Sequence, residues 1–238
     1  MDHEIAVLMA AGLGTRMRPL TIDTPKPLIK VCGRPMIETV IDGLKRRNVN
    51  EIYVVTGYLG SRFLYLTEKY PGLTIVKNEE YETVNNISSI KAVTEVIRNR
   101  NTFICEADLY IADPMIFTGK LEKSCYFGKY IAGHSDDWVF DLDGNGRIIR
   151  VGKVGDDCYN MCGLSYFMEN DAAILADAID NMYKSGGYEE MFWDDVVNMN
   201  LDKLKLSVYP VDNESITEID SVEELCAVDP SYLDRIKL

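Results

Sequence analysis

The sequence lacks most of the features that announce a membrane, secreted, zinc-bound or nucleic-acid-binding protein. No apolar run approaches the ~18–20 residues needed to cross a bilayer. Met1-Asp2-His3-Glu4 carries neither a basic region nor a signal-like apolar segment, so the expected location is cytoplasmic. Histidine is scarce, at two residues, and the six cysteines are scattered. Cys158 and Cys162 stand close together, but no second pair completes a zinc-type spacing. Apolar neighbours at Cys32 and Cys105 predict buried reduced thiols. Basic residues are in deficit, 25 Lys and Arg against 38 Asp and Glu, and the resulting charge of −13 argues against nucleic acid, which needs a basic face. The same acidity suits a substrate bearing an ammonium group, although solubility alone is the more ordinary account of it. No repeat, low-complexity segment or linker interrupts the chain. Its 238 residues, 47% of them hydrophobic, suffice for one core, so one domain, 1–238, is expected.

What is present is an alternation of strand and helix patterns. Ile5–Met9, Glu51–Thr56, Thr74–Lys77 and Asn101–Glu106 read as strands. Between them, Met36–Arg47 (apolar at 36, 37, 40, 41 and 44), Ser61–Lys69 and Ser88–Arg98 read as helices. That order predicts an α/β fold with a parallel sheet and helices on both faces. Ligands of such sheets sit beyond the carboxyl ends of the strands. Near residue 124 the pattern changes, dividing the chain into halves 1–124 and 125–238. Tyr126–His134, Trp138–Leu142, Arg147–Val151, Cys162–Met168 and Leu206–Pro210 read as strands, and Asp171–Lys184 as a helix. Asp141 to Gly146 carries a hairpin-turn signal.

Two clusters carry chemistry. The first is Ala10-Ala11-Gly12-Leu13-Gly14-Thr15-Arg16, followed by Pro25-Lys26-Pro27. Glycines bring backbone N–H groups close to a ligand, and with Arg16 they make a cradle for phosphate oxygens. The spacing is neither the Rossmann fingerprint nor the P-loop. An ordinary strand-to-loop turn also explains the two glycines. Prolines on either side of Lys26 fix the backbone that carries the lysine. The second cluster is acidic: Glu106-Ala-Asp108 closes a buried strand, and Glu218-Ile-Asp220-Ser221 follows a short extended stretch. Two carboxylates brought to one site suit Mg²⁺, which keeps waters and substrate phosphates in its shell. Taken singly, each acid is equally a helix cap or a surface group, and Asp220 or Ser221 is a candidate cap for Val222–Ala227.

Ala-Ala-Gly-x-Gly-Thr-Arg with Pro-Lys-Pro resembles the signature of the nucleotidyltransferases that make activated sugars and alcohols, over nearly the whole length. Tyr81, Asn85 to Ser89, Asp137-Trp138 and Phe192-Trp193-Asp194 are similar to segments of the bacterial CTP:phosphocholine cytidylyltransferases within that family. The resemblance implies a Rossmann-like mixed, mainly parallel sheet flanked by helices, with a small β-rich acceptor-binding part. It implies CMP transfer from CTP to phosphocholine with release of pyrophosphate. 2-Aminoethylphosphonate or a sugar phosphate is the alternative acceptor, and a non-catalytic nucleotide sensor is a reading that intact Lys26, Asp108 and Asp220 oppose.

By the same resemblance, Gly12, Gly14, Thr15 and Arg16 hold the β- and γ-phosphates. Lys26 bridges the α-phosphate and the incoming acceptor. Asp108 and Asp220 hold Mg²⁺. Ala10, Ala11, Asn86 and Ser88 contact base and ribose. Lys153 matches a region where sugar-type members carry a lysine for the substrate phosphate. A trimethylammonium group needs aromatic faces. Trp138 and Trp193, with Tyr110, Tyr159 and Phe192, are the cage candidates, against the plain alternative that the tryptophans are core. A primary ammonium would want Asp194 and Asp137 instead. The apolar C-terminal half offers a face for a homodimer.

Overall fold

The computed structural model describes residues 4–233; residues 1–3, read above for the absence of a leader, and 234–238 lie outside it. The chain opens with β1 (Ile5–Ala10), then forms the two-residue strands β2 (Lys30–Val31) and β3 (Arg34–Pro35) and helix α1 (Met36–Arg46). There follow β4 (Glu51–Thr56), α2 (Tyr65–Lys69), β5 (Leu73–Lys77), α3 (Ile87–Lys91), α4 (Thr94–Ile97), β6 (Thr102–Glu106) and β7 (Leu109–Ile111). The second half contributes β8 (Cys125–Leu142), β9 (Ile148–Phe167), α5 (Glu169–Ser185), α6 (Trp193–Met199), β10 (Ser207–Pro210), β11 (Ile216–Glu218) and α7 (Val222–Val228).

One seven-stranded sheet, ordered β10-β8-β9-β6-β1-β4-β5, runs through both halves. β5, β4, β1 and β6 are mutually parallel, as the alternation predicts, while β9 joins antiparallel to β6 and β8. β1 is central because both its faces are covered. Ala6 and Leu8 enter one core with α1, and Ile5 and Val7 enter another with α3, α5 and α6. A strand buried on both sides needs a continuous apolar run, which Ile5–Met9 supplies.

Of the five short strands expected after residue 124, the first four merge into the two long strands β8 and β9, and the fifth is β10. β8 and β9 pair from Cys125 to Leu142 through several register shifts, so the polar stretches His134–Asp137 and Val154–Asp157 stay in the ladder. Ser88–Arg98 is divided into α3 and α4 at Val93, whose backbone leaves the helical region. Ser61–Lys69 is a 3-10 turn, Gly60–Phe63, continued by α2. Cys105 is buried as predicted, whereas Cys32 is exposed because it sits at φ +50° in the tight turn between β2 and β3.

Arg47, just past α1, ties segments of the first half together and reaches the second half at the Tyr166 ring. Its guanidinium forks onto Glu4 at 2.7 and 2.8 Å and donates to the carbonyls of Phe117 (2.7 Å) and Gly119 (2.6 Å). It also lies 5.2 Å from the Phe103 ring and 5.8 Å from that of Tyr166. Removing it would leave a carboxylate and two carbonyls short of partners in a largely enclosed site. Arg47→Met is therefore expected to lower the free energy of unfolding by about 2–4 kcal/mol, to be read from urea denaturation. A change below 0.5 kcal/mol would refute this account of the strut.

Candidate active site

The two acidic segments, far apart in sequence, are brought together by a small sheet of their own. β11 pairs antiparallel with β7, with Glu218 opposite Leu109, and the Ile219 amide donates to the Asp108 carbonyl. That register sets Asp108 beside Asp220. Lys26 lies between them, its Nζ 2.5 Å from Asp108 Oδ2 and 2.5 Å from Asp220 Oδ1. Arg16 adds a second cation, 2.9 Å from the same Asp220 oxygen. Ser221, not Asp220, caps α7, through a capping box with Glu224. This leaves the Asp220 carboxylate free to face the lysine.

Glu106 and Glu218, two residues before each aspartate, complete the cluster. Oxygens of Glu106, Asp108 and Glu218 lie within 4.8 Å of one another. Burial, and then the charges of Asp108 and Asp220, push the Glu218 carboxyl up to about 8. Burial together with Glu218, Asp108 and Asp194 raises Glu106 well above the usual carboxylate range. Burial alone would lower Lys26, but its two aspartates outweigh that and hold it above the ordinary lysine value. Four carboxyl groups and two cations crowd one site, and the crowding of like charge is part of what lifts Glu106 and Glu218. The donor set is all hard oxygen, which fits a divalent cation of the Mg²⁺ kind.

Beyond β1 the chain turns through Gly14, which sits at φ +60° and starts a 3-10 turn over Thr15–Met17. Thr21 Oγ1 fastens this turn by donating to the Gly14 carbonyl at 2.7 Å. Lys26 opens a second 3-10 turn between Pro25 and Pro27 and is only 8% exposed, so its prolines do hold it. A Cβ on Gly14 would stand 3.0 Å from Lys26 Cβ and 3.1 Å from Thr21 Cγ2. Gly14→Ala thus strains a left-handed residue and pushes on Lys26. It is expected to cost about 1–2 kcal/mol of stability and, on the reading of this loop as a phosphate cradle, to raise KM for the phosphate-bearing substrate about tenfold or more, as checked by urea unfolding and initial rates. An unchanged KM would contradict the placement of this loop.

Loop and acids face one cleft of about 670 Å³. It is lined by Ala10, Ala11, Gly12, Gly14, Thr15, Arg16 and Lys26, by Asn86 and Ser88, and by Asp108, Trp138, Lys153, Asp194 and Asp220. All of these were singled out from sequence. Asn86 Oδ1 accepts from the Trp193 amide at 3.0 Å, and Ser88 Oγ accepts from Asn78 at 2.8 Å. Tyr81, Asp136, Asp137 and Phe192 also line the cleft. Tyr81 packs so closely over Gly57 that a Cβ there would meet its ring at 2.4 Å. Glu106, Glu218 and Asn78 were not picked out as site residues. The signal for the glutamates was legible: Glu-x-Asp occurs in both segments, and alternate residues of an extended chain share a face.

Three of the predicted cage candidates do not line the cleft. Trp193 is 3% exposed and belongs to the core, stacked on Tyr126 at 5.8 Å and set edge-on to Phe167 at 6.0 Å. As the first residue of α6 it points at the sheet, and its neighbours Phe192 and Asp194 reach the cleft instead. Tyr110 alternates with Leu109 and Ile111 along β7 and packs toward the cluster of Met17, Ile219 and Leu225. Tyr159, the further cage candidate, pairs with Tyr130 across β8 and β9. Trp138 is left with one aromatic neighbour in the cleft, the Phe192 ring at 5.5 Å and 69°. Asp194 is buried and accepts from the Tyr126 hydroxyl at 2.8 Å. Burial pushes it up to about 7, with the Tyr126 hydrogen bond opposing.

Residues 6–124 match the model of the MobA-like NTP transferase domain. A 2-aminoethylphosphonate cytidylyltransferase of Lancefieldella rimae is 54% identical over 228 residues, 96% of this chain and 93% of that protein. A choline-phosphate cytidylyltransferase of Streptococcus pneumoniae is 34% identical over 92% of this chain and 94% of its own length. The solved structure of the CTP:phosphocholine cytidylyltransferase from Streptococcus pneumoniae superposes with a TM-score of 0.89 at 33% identity, covering 96% of this chain and 99% of that one.

Proposed function

This chain belongs to the MobA-like NTP transferase family, as a nucleotidyltransferase of its cytidylyltransferase branch, and from that premise we propose that it transfers CMP from CTP to 2-aminoethylphosphonate. The observation that carries the acceptor is the make-up of the cleft lining. Asp136, Asp137 and Asp194 are among its residues, while of the two tryptophans only Trp138 is. A primary ammonium donates to carboxylates; a trimethylammonium has no N–H and needs ring faces. The likeness to a 2-aminoethylphosphonate cytidylyltransferase at 54% identity supports the same acceptor over the phosphocholine that the sequence resemblance implied.

In this reading a phosphonate oxygen of the acceptor attacks the α-phosphorus of CTP, the bond to the β-phosphate breaks, and pyrophosphate leaves. The nucleophile is already an anion, so no side chain has to remove a proton. Catalysis is then positioning and charge neutralisation. The amides of Gly12 to Thr15 and the Arg16 guanidinium hold the triphosphate tail. The Lys26 ammonium offsets charge on the oxygens around the reacting phosphorus. Asp108 and Asp220, with Glu106 and Glu218 beside them, would hold Mg²⁺, which when bound neutralises phosphate oxygens as a Lewis acid. Ala10 and Ala11, small and nearly buried, leave the backbone free to read the base, with Asn86 and Ser88 near the nucleoside.

The test is a panel of 2-aminoethylphosphonate, phosphocholine, phosphoethanolamine and a hexose 1-phosphate, each with CTP or UTP, followed by pyrophosphate release. The expected result is the highest kcat/KM for 2-aminoethylphosphonate with CTP, by about tenfold or more over phosphocholine. Preference for the sugar phosphate would overturn the reading.

A further inference from the structure

The ring of Trp138 already has a cation over it. Trp138 on β8 and Lys153 on β9 are direct cross-strand partners in the hairpin register. Opposed residues of one antiparallel pair share a face of the sheet, and Lys153 Nζ lies 5.6 Å from the Trp138 ring centroid. The ring's edge is set against Phe192, and its backbone amide donates to Asp137 Oδ1 at 2.7 Å. Both residues line the cleft, and Lys153 is itself exposed. The backbone behind it is fixed, since the Arg150 guanidinium, paired with Asp141, donates to the carbonyls of Lys153 (3.1 Å) and Val154 (3.0 Å).

We propose that Lys153 is a specificity-determining residue whose ammonium covers the Trp138 face and thereby excludes quaternary ammonium acceptors from it. A trimethylammonium gains its binding energy from that face and is repelled by a like charge standing there. A primary ammonium reaches the Asp136 and Asp137 carboxylates without the ring, so the covered face costs it little. Lys153 thus acts as a built-in occupant of a choline-type subsite. The assignment rests on the acceptor reading above, and it goes beyond that reading by naming one residue and a negative selection.

The experiment compares wild type, Lys153→Ala and Lys153→Arg. Each is assayed for kcat/KM with 2-aminoethylphosphonate and with phosphocholine in CTP. Each is also titrated calorimetrically with phosphocholine alone, and thermal melts confirm folding. Lys153→Ala is expected to raise the phosphocholine-to-2-aminoethylphosphonate ratio about tenfold and to tighten phosphocholine binding by a similar factor. Lys153→Arg keeps a cation over the ring and is expected to stay within about threefold of wild type. An unchanged ratio and unchanged binding in Lys153→Ala would overturn the proposal. So would a parallel loss of both acceptors, which would make Lys153 a holder of the acceptor's phosphorus oxygens. Should wild type use neither amine, the acceptor reading fails on that arm, while the calorimetric arm still decides the role of Lys153.

Discussion

Lys26→Ala is expected to lower kcat for cytidylyl transfer by about 10³-fold. Lys26 Nζ touches both acidic segments, at 2.5 Å from Asp108 and 2.5 Å from Asp220, and prolines flank it just beyond the glycine loop. Its charge is secure at any working pH, because the aspartates hold it above the ordinary lysine range. Removing it takes away the cation at the joint between loop and acids. The loss should appear mainly in kcat, since Arg16 and the loop amides still bind the triphosphate. Lys26→Arg should recover little, because a planar fork does not fit a point between two carboxylates. Steady-state rates and CTP affinity together check this. A Lys26→Ala enzyme within tenfold of wild type would remove the lysine from the chemistry.

Asp108→Asn is expected to lower activity by about 10²–10³-fold and to weaken the apparent affinity for Mg²⁺ at least tenfold. The amide keeps the shape and loses the charge that a divalent cation needs. The fold should not suffer in the same way. Glu218 and Glu106 are pushed up in part by Asp108, so neutralising it relieves repulsion inside the cluster. Activity lost with stability kept, or raised, is therefore the signature, read from rates across a Mg²⁺ series and from urea unfolding. Because Asp108 shares Lys26 with Asp220, the double variant Lys26→Ala with Asp108→Asn should cost far less than the sum of the two. Additive losses would mean that the residues do not form one unit.

The juxtaposition of the glycine loop, Lys26 and the acids was legible because its signals are local. Gly14 needs φ +60°, Lys26 is bracketed by prolines, and each acid closes an apolar run; all three can be read along the chain. The parallel order of β1, β4, β5 and β6 follows from the strand and helix alternation for the same reason. The acceptor half depends on long-range register. Whether Trp138 or Trp193 faces the cleft is decided by where β8 meets β9 and by how α6 docks on the sheet, and α6 carries no periodic run long enough to read. Composition near Trp193, an aromatic beside acids, looked the same whether the ring or its neighbours pointed inward. Here Asp194 and Phe192 turn to the cleft and the indole to the core. The continuity of β8 and β9 through polar residues was hidden by their bulges, since alternation fails wherever an extra residue shifts the register.

One measurement bears most directly on the account: a single-vessel competition with CTP, Mg²⁺ and equal concentrations of 2-aminoethylphosphonate and phosphocholine, followed by phosphorus NMR. The account predicts that the phosphonate signal is converted to a CMP-linked species and pyrophosphate accumulates while most phosphocholine remains, with no conversion when Mg²⁺ is chelated. Consumption of phosphocholine ahead of the phosphonate, or turnover undiminished by chelation, would contradict it.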